Sequence, residues 1–348
     1  MKLSRAFTSC FKQALSSLTT GLQEEVQVGK RRIKLVRLLG EGGYSFVYLG
    51  VDCETGQEYA VKKILAQSSE QLELAKKEIQ VMGRFRHPNL LALVDSEAKR
   101  GQEGKEMGKN VVYLVFRAYK DGTVVDLVEK SQRIHPAVVL NIFLQVCRGC
   151  QCMHGKEGST GGYAHRDVKP HNVLLQRDSN KGALDPFHAV LMDFGSARVA
   201  RMDIRSRTDA LKAQEEAESH TTGTYRSPEL FDCPSECVLD ERTDVWSLGC
   251  LLYYMCFGES PFEYVLSQAG GSLALAVISG KIQWPDKGVG YHPAIVDLCR
   301  LCLKQELADR PRVDEVIERC VEALDRVAED EGPAGAAAPA VVPKANMV

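Results

Sequence analysis

Residues 163–175 constrain this chain more than any other stretch. Asp167 is followed two positions on by Lys169 and five positions on by Asn172, and Val173, Leu174 and Leu175 then supply the apolar run of a short strand. An acid, a cation and an amide are therefore confined to one tight loop with a strand to hold it. In that arrangement Asp167 can accept the proton of an attacking hydroxyl. Lys169 can neutralise charge on a moving phosphate, and the Asn172 side-chain oxygen can hold a magnesium ion. His165 and Arg166 complete a His-Arg-Asp triplet, which alone could arise by chance in 348 residues. With the lysine, the asparagine and the strand in register, chance is a poor account.

Such a loop needs a large body around it, and the composition allows one. Hydrophobic residues make up 44% and charged residues 26%, ordinary for a globular chain that needs no disulfide or structural metal. A formal net charge of −2 argues neither for nucleic acid nor for an anionic membrane. No apolar run approaches the roughly 20 residues of a membrane-spanning helix. The twelve cysteines include close groups at Cys147, Cys150 and Cys152, at Cys233 and Cys237, and at Cys299 and Cys302. Short spacing of this kind is also the signature of zinc. No histidine-bearing knuckle accompanies any group, so the preferred reading is cysteine used as a small buried hydrophobe in a reducing compartment.

Upstream of the loop, Leu39, Gly40, Glu41, Gly42, Gly43, Tyr44, Ser45, Phe46 and Val47 form a glycine-rich turn between two strands. Without a Cβ in the way, backbone N–H groups there can approach phosphate oxygens. Alone, such a turn means only a tight hairpin. The next strand, Ala60-Val61-Lys62, puts a lysine where a nucleotide's phosphates would lie. A helix over residues 69–84 follows, with Leu72, Ala75, Ile79 and Met82 on one face. Its Glu78 can pair with Lys62 and orient it.

Residues 90–94 and 111–116 read as strands separated by a charged, glycine-bearing loop at 97–110. After residues 117–122 the pattern changes from strand to helix, first over 123–131 and 137–154. Residues 189–192 form a strand that delivers Asp193-Phe194-Gly195, where Asp193 becomes a second magnesium ligand. A long segment, 196–227, contains a helix-prone stretch at 210–217. A buried helix starts at Asp244, and Arg310 reads equally as a partner for Glu229 or as a surface charge. The tail from Ala328 is acidic, then Ala/Pro/Gly-rich, and is expected to be disordered.

Residues 1–22 place Leu3, Phe7, Cys10, Phe11, Leu15, Leu18 and Leu22 on one helical face, with Lys2, Arg5 and Lys12 as the charges. Three readings stay open: an organelle presequence, a helix lying on a membrane with Cys10 available for acylation, or a helix that docks on the protein or stays disordered. Lys2 removes the start that N-myristoylation needs.

Taken together and in order, the glycine turn, Ala60-Val61-Lys62, Glu78, His-Arg-Asp with Lys169 and Asn172, Asp-Phe-Gly, Ser227-Pro228-Glu229 and Asp244-x-Trp-Ser-x-Gly resemble the eukaryotic protein kinases. Within them the chain is most similar to the Numb-associated kinases, in the serine/threonine kinase sixteen branch. That likeness lies in Tyr163-Ala164-His165-Arg166-Asp167, in Thr222-Gly223-Thr224-Tyr225-Arg226-Ser227-Pro228-Glu229-Leu230-Phe231 and in the stretch from Asp240 to Cys250. The resemblance implies an α+β, bilobal protein kinase fold, with a β-rich N-lobe carrying one helix and a mainly α-helical C-lobe. It implies that ATP lies between the lobes, with Val47 and Ala60 above the adenine, Leu174 below it and Phe116 as a bulky gatekeeper.

The same resemblance gives the remaining expectations. The catalytic set is Asp167, Lys169, Lys62 and Glu78, and the magnesium ligands are Asn172 and Asp193. Arg166 is free for a phosphorylated residue, and autophosphorylation falls among Ser206, Thr208, Ser219, Thr221, Thr222 and Thr224. The domains are a targeting or anchoring segment at 1–32, the N-lobe at 33–118, the C-lobe at 119–324 and a disordered tail at 325–348. The expected protein is a cytoplasmic monomer acting on protein Ser/Thr hydroxyls in membrane trafficking or signalling, with no nucleic-acid partner. Peripheral attachment at Golgi or other endomembranes would run through residues 1–22 and Cys10. Ser45 stands where kinases at large carry a third glycine, as it does in this branch. The rival is a pseudokinase scaffold, which would ordinarily have lost Lys62, Asp167, Asn172 or Asp193; all four are present.

Overall fold

The computed structural model describes residues 24–42, 44–100, 110–155, 162–284, 291–335 and 341–343. The expectations for residues 1–22, for Gly43 and for the last residues of the tail lie outside the described residues. The chain divides into two units, one running to Arg86 and resuming over Leu91–Tyr119, the other taking His87–Leu90 and everything from Lys120.

The first unit is built on an antiparallel sheet. Its strands are β1 (Glu25–Val28), β2 (Arg31–Gly42), β3 (Ser45–Asp52), β4 (Glu58–Ala66), β5 (Leu93–Arg100) and β6 (Asn110–Arg117), in the spatial order β1-β2-β3-β4-β6-β5. Alternation drives the pairing. Val26, Val28, Ile33, Leu35, Tyr59, Val61, Val111, Tyr113 and Val115 all point to one face and form one core cluster. Two boundaries differ from the sequence reading. The sheet starts at Glu25, not Ile33, because the four residues of β1 bury only two valines, too few to show a period. The loop expected from residue 97 begins later, since β5 pairs with β6 as far as Arg100. β5 is an edge strand, and its charged residues conceal its strand character.

Helix α1 (Ser69–Arg84) is capped by the Ser68 side chain, which accepts from the Gln71 N–H. Its buried residues are Ala75, Glu78, Val81 and Met82. The stripe is rotated from the purely apolar one in the sequence because Lys62 draws the Glu78 carboxylate inward.

The second unit is mainly helical. Helix α2 (Val124–Lys130) opens on a capping box between Thr123 and Asp126. It is followed by β7 (Ser131–Ile134) and by α3 (Pro136–His154), which is buried along nearly its whole length. By length and composition α3 is the one helix among the described residues that could cross a membrane, yet it forms the core of this unit. Strand β8 (Tyr163–Ala164) precedes the loop of residues 165–172, and β9 (Val173–Arg177) pairs with β10 (Phe187–Leu191). Short strands β11 (Arg198–Val199) and β12 (Met202–Ile204) lead into α4 (Arg207–His220), which covers the helix-prone stretch expected at 210–217.

Beyond α4 come α5 (Pro228–Phe231), β13 (Cys237–Leu239), α6 (Arg242–Phe257), α7 (Leu273–Ser279), α8 (Pro293–Cys302), α9 (Val313–Gly335) and β14 (Val341–Pro343). Cys147, Cys150, Cys250, Cys299, Cys302 and Cys320 are buried among these helices, where desolvation pushes their thiols up. The tail expected to be disordered from residue 325 is instead helical to Gly335, and β14 pairs with β7. Ala323 and Val327 are buried on α9, so the apolar stripe carries the acidic stretch along as helix.

Arg310 and Glu229, two separate charges in the sequence, form a buried fork. Nη1 and Nη2 donate to the two carboxylate oxygens at 2.9 and 3.0 Å, and the guanidinium also reaches the carbonyls of Arg242, Lys304 and Gln305. With the arginine side chain 0% exposed, removing one partner strands the other charge in the core. Glu229→Gln should therefore lower the unfolding free energy by about 3–5 kcal/mol in a denaturant titration; a loss within error would mean the pair does not stabilise this unit.

Candidate active site

In the first unit the glycine turn is the end of the β2–β3 hairpin. Gly40 faces Val47, Glu41 faces Phe46 and Gly42 faces Ser45 in the register. A Cβ at Gly40 would meet nothing, and one at Gly42 only the Ser45 hydroxyl at 3.5 Å, so the backbone here is open to a ligand. Leu39 and Tyr44 are exposed. Register places Lys62 opposite Val47 and Leu114, and Ala60 opposite Leu49 and Phe116. Period-two alternation puts Ala60 and Lys62 on the same face. Phe116 is buried. Lys62 Nζ donates to Glu78 Oε1 at 2.7 Å, as the sequence led one to expect. A lysine held by a fixed carboxylate presents its charge at one position rather than sweeping through solvent.

In the second unit the residues of the loop converge on one carboxylate. Asp167 Oδ2 accepts from Lys169 Nζ at 2.6 Å and from Asn172 Nδ2 at 3.0 Å. Asp167 Oδ1 accepts from the Thr222 hydroxyl at 2.7 Å and the Thr222 N–H at 3.1 Å. Lys169 Nζ also donates to the Thr222 hydroxyl at 2.7 Å. Burial pushes the Asp167 carboxyl up, but the bonds from Lys169 and Thr222 outweigh it, and the group lies below its ordinary value. Asp167 is thus a carboxylate ready to accept a proton.

The loop is held from beneath by Asp244 of α6. Its carboxylate, fully buried, accepts from the His165 N–H at 2.6 Å and the Arg166 N–H at 2.8 Å, and meets His154 Nε2 at 2.9 Å. These bonds hold Arg166 at φ 68°, a left-handed conformation for a bulky residue. His165 packs edge-on against Phe194 with ring centroids 5.5 Å apart, and both are buried. Arg166 is buried, and among the described residues its Nε and Nη2 have no hydrogen-bond partner, so the guanidinium expected to be free for a phosphorylated residue is unengaged at those two nitrogens. Burial pushes its pKa down, against the field of the Asp244, Glu216 and Glu229 carboxylates.

The donors suit magnesium. Both bonds made by the Asn172 amide nitrogen go to Asp167, which leaves the amide oxygen for a cation. Asp193 is exposed, also at φ 68°, and among the described residues accepts only from the Gly195 N–H at 3.3 Å. The Met192 N–H bonds the Asn172 carbonyl at 2.8 Å, tying the two segments together. One amide oxygen and one carboxylate are hard ligands, and magnesium takes its remaining ones from phosphates and water. No group of three His, Cys, Asp or Glu residues able to hold a metal occurs among the described residues. Leu174 lies half-buried on β9, bridged to Thr123.

Two site residues were not singled out by spacing alone. The sequence marks Thr222 as a motif position and an autophosphorylation candidate, not as a partner of Asp167 55 residues away, and Asp244 as a motif residue starting a buried helix, not as the support of the loop. Since the Asp167 carboxyl is depressed, no acid limb in the pH–rate profile from pH 5 upward should belong to it. Lys169→Met removes the strongest opposing contact, so the limb should move up into the measurable range; a profile identical to wild type would mean Lys169 does not hold the base ionised.

The protein kinase domain family model matches residues 33–320. A probable serine/threonine-protein kinase of Dictyostelium discoideum is 35% identical over 349 residues, covering 81% of this chain and 91% of that protein. Serine/threonine-protein kinase 16 of Rattus norvegicus and that of Homo sapiens are each 39% identical over 257 residues, 72% of this chain and 78% of theirs. With the loop, the Lys62–Glu78 pair and the Asp-Phe-Gly turn in their places, the chain belongs to the protein kinase domain family, in its serine/threonine kinase 16 branch.

Proposed function

We propose that this protein kinase transfers the γ-phosphoryl group of ATP to serine and threonine hydroxyls of proteins. The observation that carries the reading is the Asp167 carboxylate, kept ionised and fixed in direction by Lys169, Asn172 and Thr222. Asp167 orients the acceptor hydroxyl and takes its proton as the bond to phosphorus forms. Lys169, two residues away, offsets charge on the transferring group. Lys62, oriented by Glu78, holds the α- and β-phosphates, and the open backbone of Gly40 and Gly42 can approach phosphate oxygens. Magnesium, bound through Asn172 and Asp193, supplies charge neutralisation on the phosphates. Ser/Thr rather than Tyr acceptors are supported by the serine/threonine kinases this chain resembles and, by that resemblance, by Lys169 and Thr222 at their motif positions.

Autophosphorylation is part of this reading, and exposure supports a narrower set of acceptors. Ser206, Thr208 and Ser219 are exposed on or beside α4, with the Ser206 hydroxyl bonded only locally to Asp209 and that of Ser219 to the Glu215 carbonyl, whereas the Thr222 hydroxyl is half-buried between Asp167 and Lys169. The first three are the proposed acceptors. A role at membranes, in trafficking, rests on the basic, acid-free amphipathic sequence of residues 1–22 with Cys10.

Asp167→Asn should retain ATP binding while losing at least about 100-fold in phosphotransfer to a protein substrate, the scale of a general base; near-full turnover would refute the assignment. Lys62→Met should lose phosphotransfer with the fold intact by circular dichroism, and unchanged kinetics would remove the Lys62–Glu78 pair from the mechanism. Deleting residues 1–25 should move the protein from the membrane to the soluble fraction on cell fractionation, and an unchanged distribution would remove the anchoring role.

A further inference from the structure

The segment after Gly195 is tied down by charge as well as by packing. Arg198 Nε donates to Glu216 Oε1 at 2.7 Å, and its Nη1 donates to the carbonyls of Gly195 at 3.1 Å and Ala197 at 2.9 Å. One guanidinium thus joins α4 to the turn that carries Asp193. Backbone pairing sets Arg198 opposite Ala164, just ahead of His165. A second tie runs beside it: the Ser196 hydroxyl donates to the His220 carbonyl, at the end of the same helix. The inner face of α4 (Ala210, Ala213 and Ala217) is buried against Ile204, Leu230, Cys233 and Leu239. Arg166, buried with two unpartnered nitrogens, lies in the field of Glu216 as well.

From this geometry we infer that Glu216 is a positioning residue. Acting through Arg198, it fixes the Gly195 carbonyl that ends the Asp-Phe-Gly turn and the Ala197 carbonyl just after it, so that Asp193 is held in its positive-φ conformation, and does so without any phosphate on the segment. A carboxylate on α4 brings the negative charge and the acceptor oxygens that a phosphorylated side chain would bring to an arginine. Arg198 is largely buried, with its side chain 15% exposed, so the bond is partly shielded from water. The short apolar residues of α4 let the helix lie close to its support and bring Glu216 within reach. This inference rests on the proposed phosphotransfer reading, because Asp193 matters only if it serves the phosphates.

The test uses the full chain treated with a phosphatase until mass spectrometry finds no phosphate in residues 196–227. Wild type, Glu216→Gln, Glu216→Asp and the exposed control Glu215→Gln are compared. The readouts are the magnesium concentration for half-maximal phosphotransfer, the rate of tryptic cleavage at Arg205, Arg207 and Lys212 without nucleotide or metal, and the melting temperature. Stripped wild type and Glu215→Gln should keep most of the untreated rate. Glu216→Gln should raise the magnesium requirement and the cleavage rate about fivefold, the scale of one partly exposed charge-assisted bond, with Glu216→Asp in between. Loss of nearly all activity on phosphate removal alone would overturn the inference, since phosphate would then hold the segment. A Glu216→Gln chain that melts lower but keeps the wild-type magnesium requirement would also overturn it, leaving Glu216 a merely structural role. If untreated wild type transfers no phosphate, the phosphotransfer reading fails instead, and unchanged cleavage of Glu216→Gln would separately sink the tether.

Discussion

A single buried carboxylate organises the second unit. Asp244, at the first turn of α6, is fully buried, and an ion in that position is tolerated only if its oxygens are satisfied. It obtains its partners from the backbone of His165 and Arg166 and from the ring of His154. The need to satisfy one charge thus dictates the path of the loop that carries Asp167. The same bonds offset the strain of Arg166 at positive φ, a conformation of order 1–3 kcal/mol less favourable for such a residue. Burial alone would push the Asp244 carboxyl up, and its hydrogen bonds bring it below the ordinary value. Its stabilising contribution is therefore present above the unfolded carboxylate range and is lost as pH falls through the lower folded value.

From that anchor outward, the site is a set of short-range charge arrangements. Asp167, Lys169, Asn172 and Thr222 share one network in which each polar group constrains the next. Lys62 and Glu78 form a separate pair within the first unit, between a strand and a helix. Arg198 and Glu216 extend the same economy to α4. In each case a long cationic side chain is given one direction by a carboxylate, which lowers the cost of ordering it when phosphate arrives.

The long segment between Gly195 and Ser227 is ordered by the same combination of apolar packing and charge. Small alanines supply close approach, β12 pairs with β13, and Arg226 reaches back to the Thr221 hydroxyl at 2.7 Å. The Arg226 guanidinium also lies over the Phe231 ring, 4.6 Å from its centroid. Thr222 is delivered to Asp167 at the end of this path, so segment order and the state of the base are coupled.

Sequence by itself determined the elements whose chemistry is local. The His-Arg-Asp loop with its lysine and asparagine, the glycine hairpin, the change from strand to helix near residue 120 and the helix around 210–217 are all legible, because period and short spacing record contacts between near neighbours. It also offered Glu78 for Lys62, since the family order narrows the choice. Tertiary structure decided what depends on distant residues: that Asp244 supports the loop 78 residues away, that Arg310 finds Glu229 across 81, and that Arg166 is buried. It also decided that β1 exists, that β5 runs to Arg100 and that α9 continues to Gly335. The reason is the same throughout. A buried charge or a short edge strand is fixed by the partner that folding brings to it, and no spacing within the chain encodes that partner.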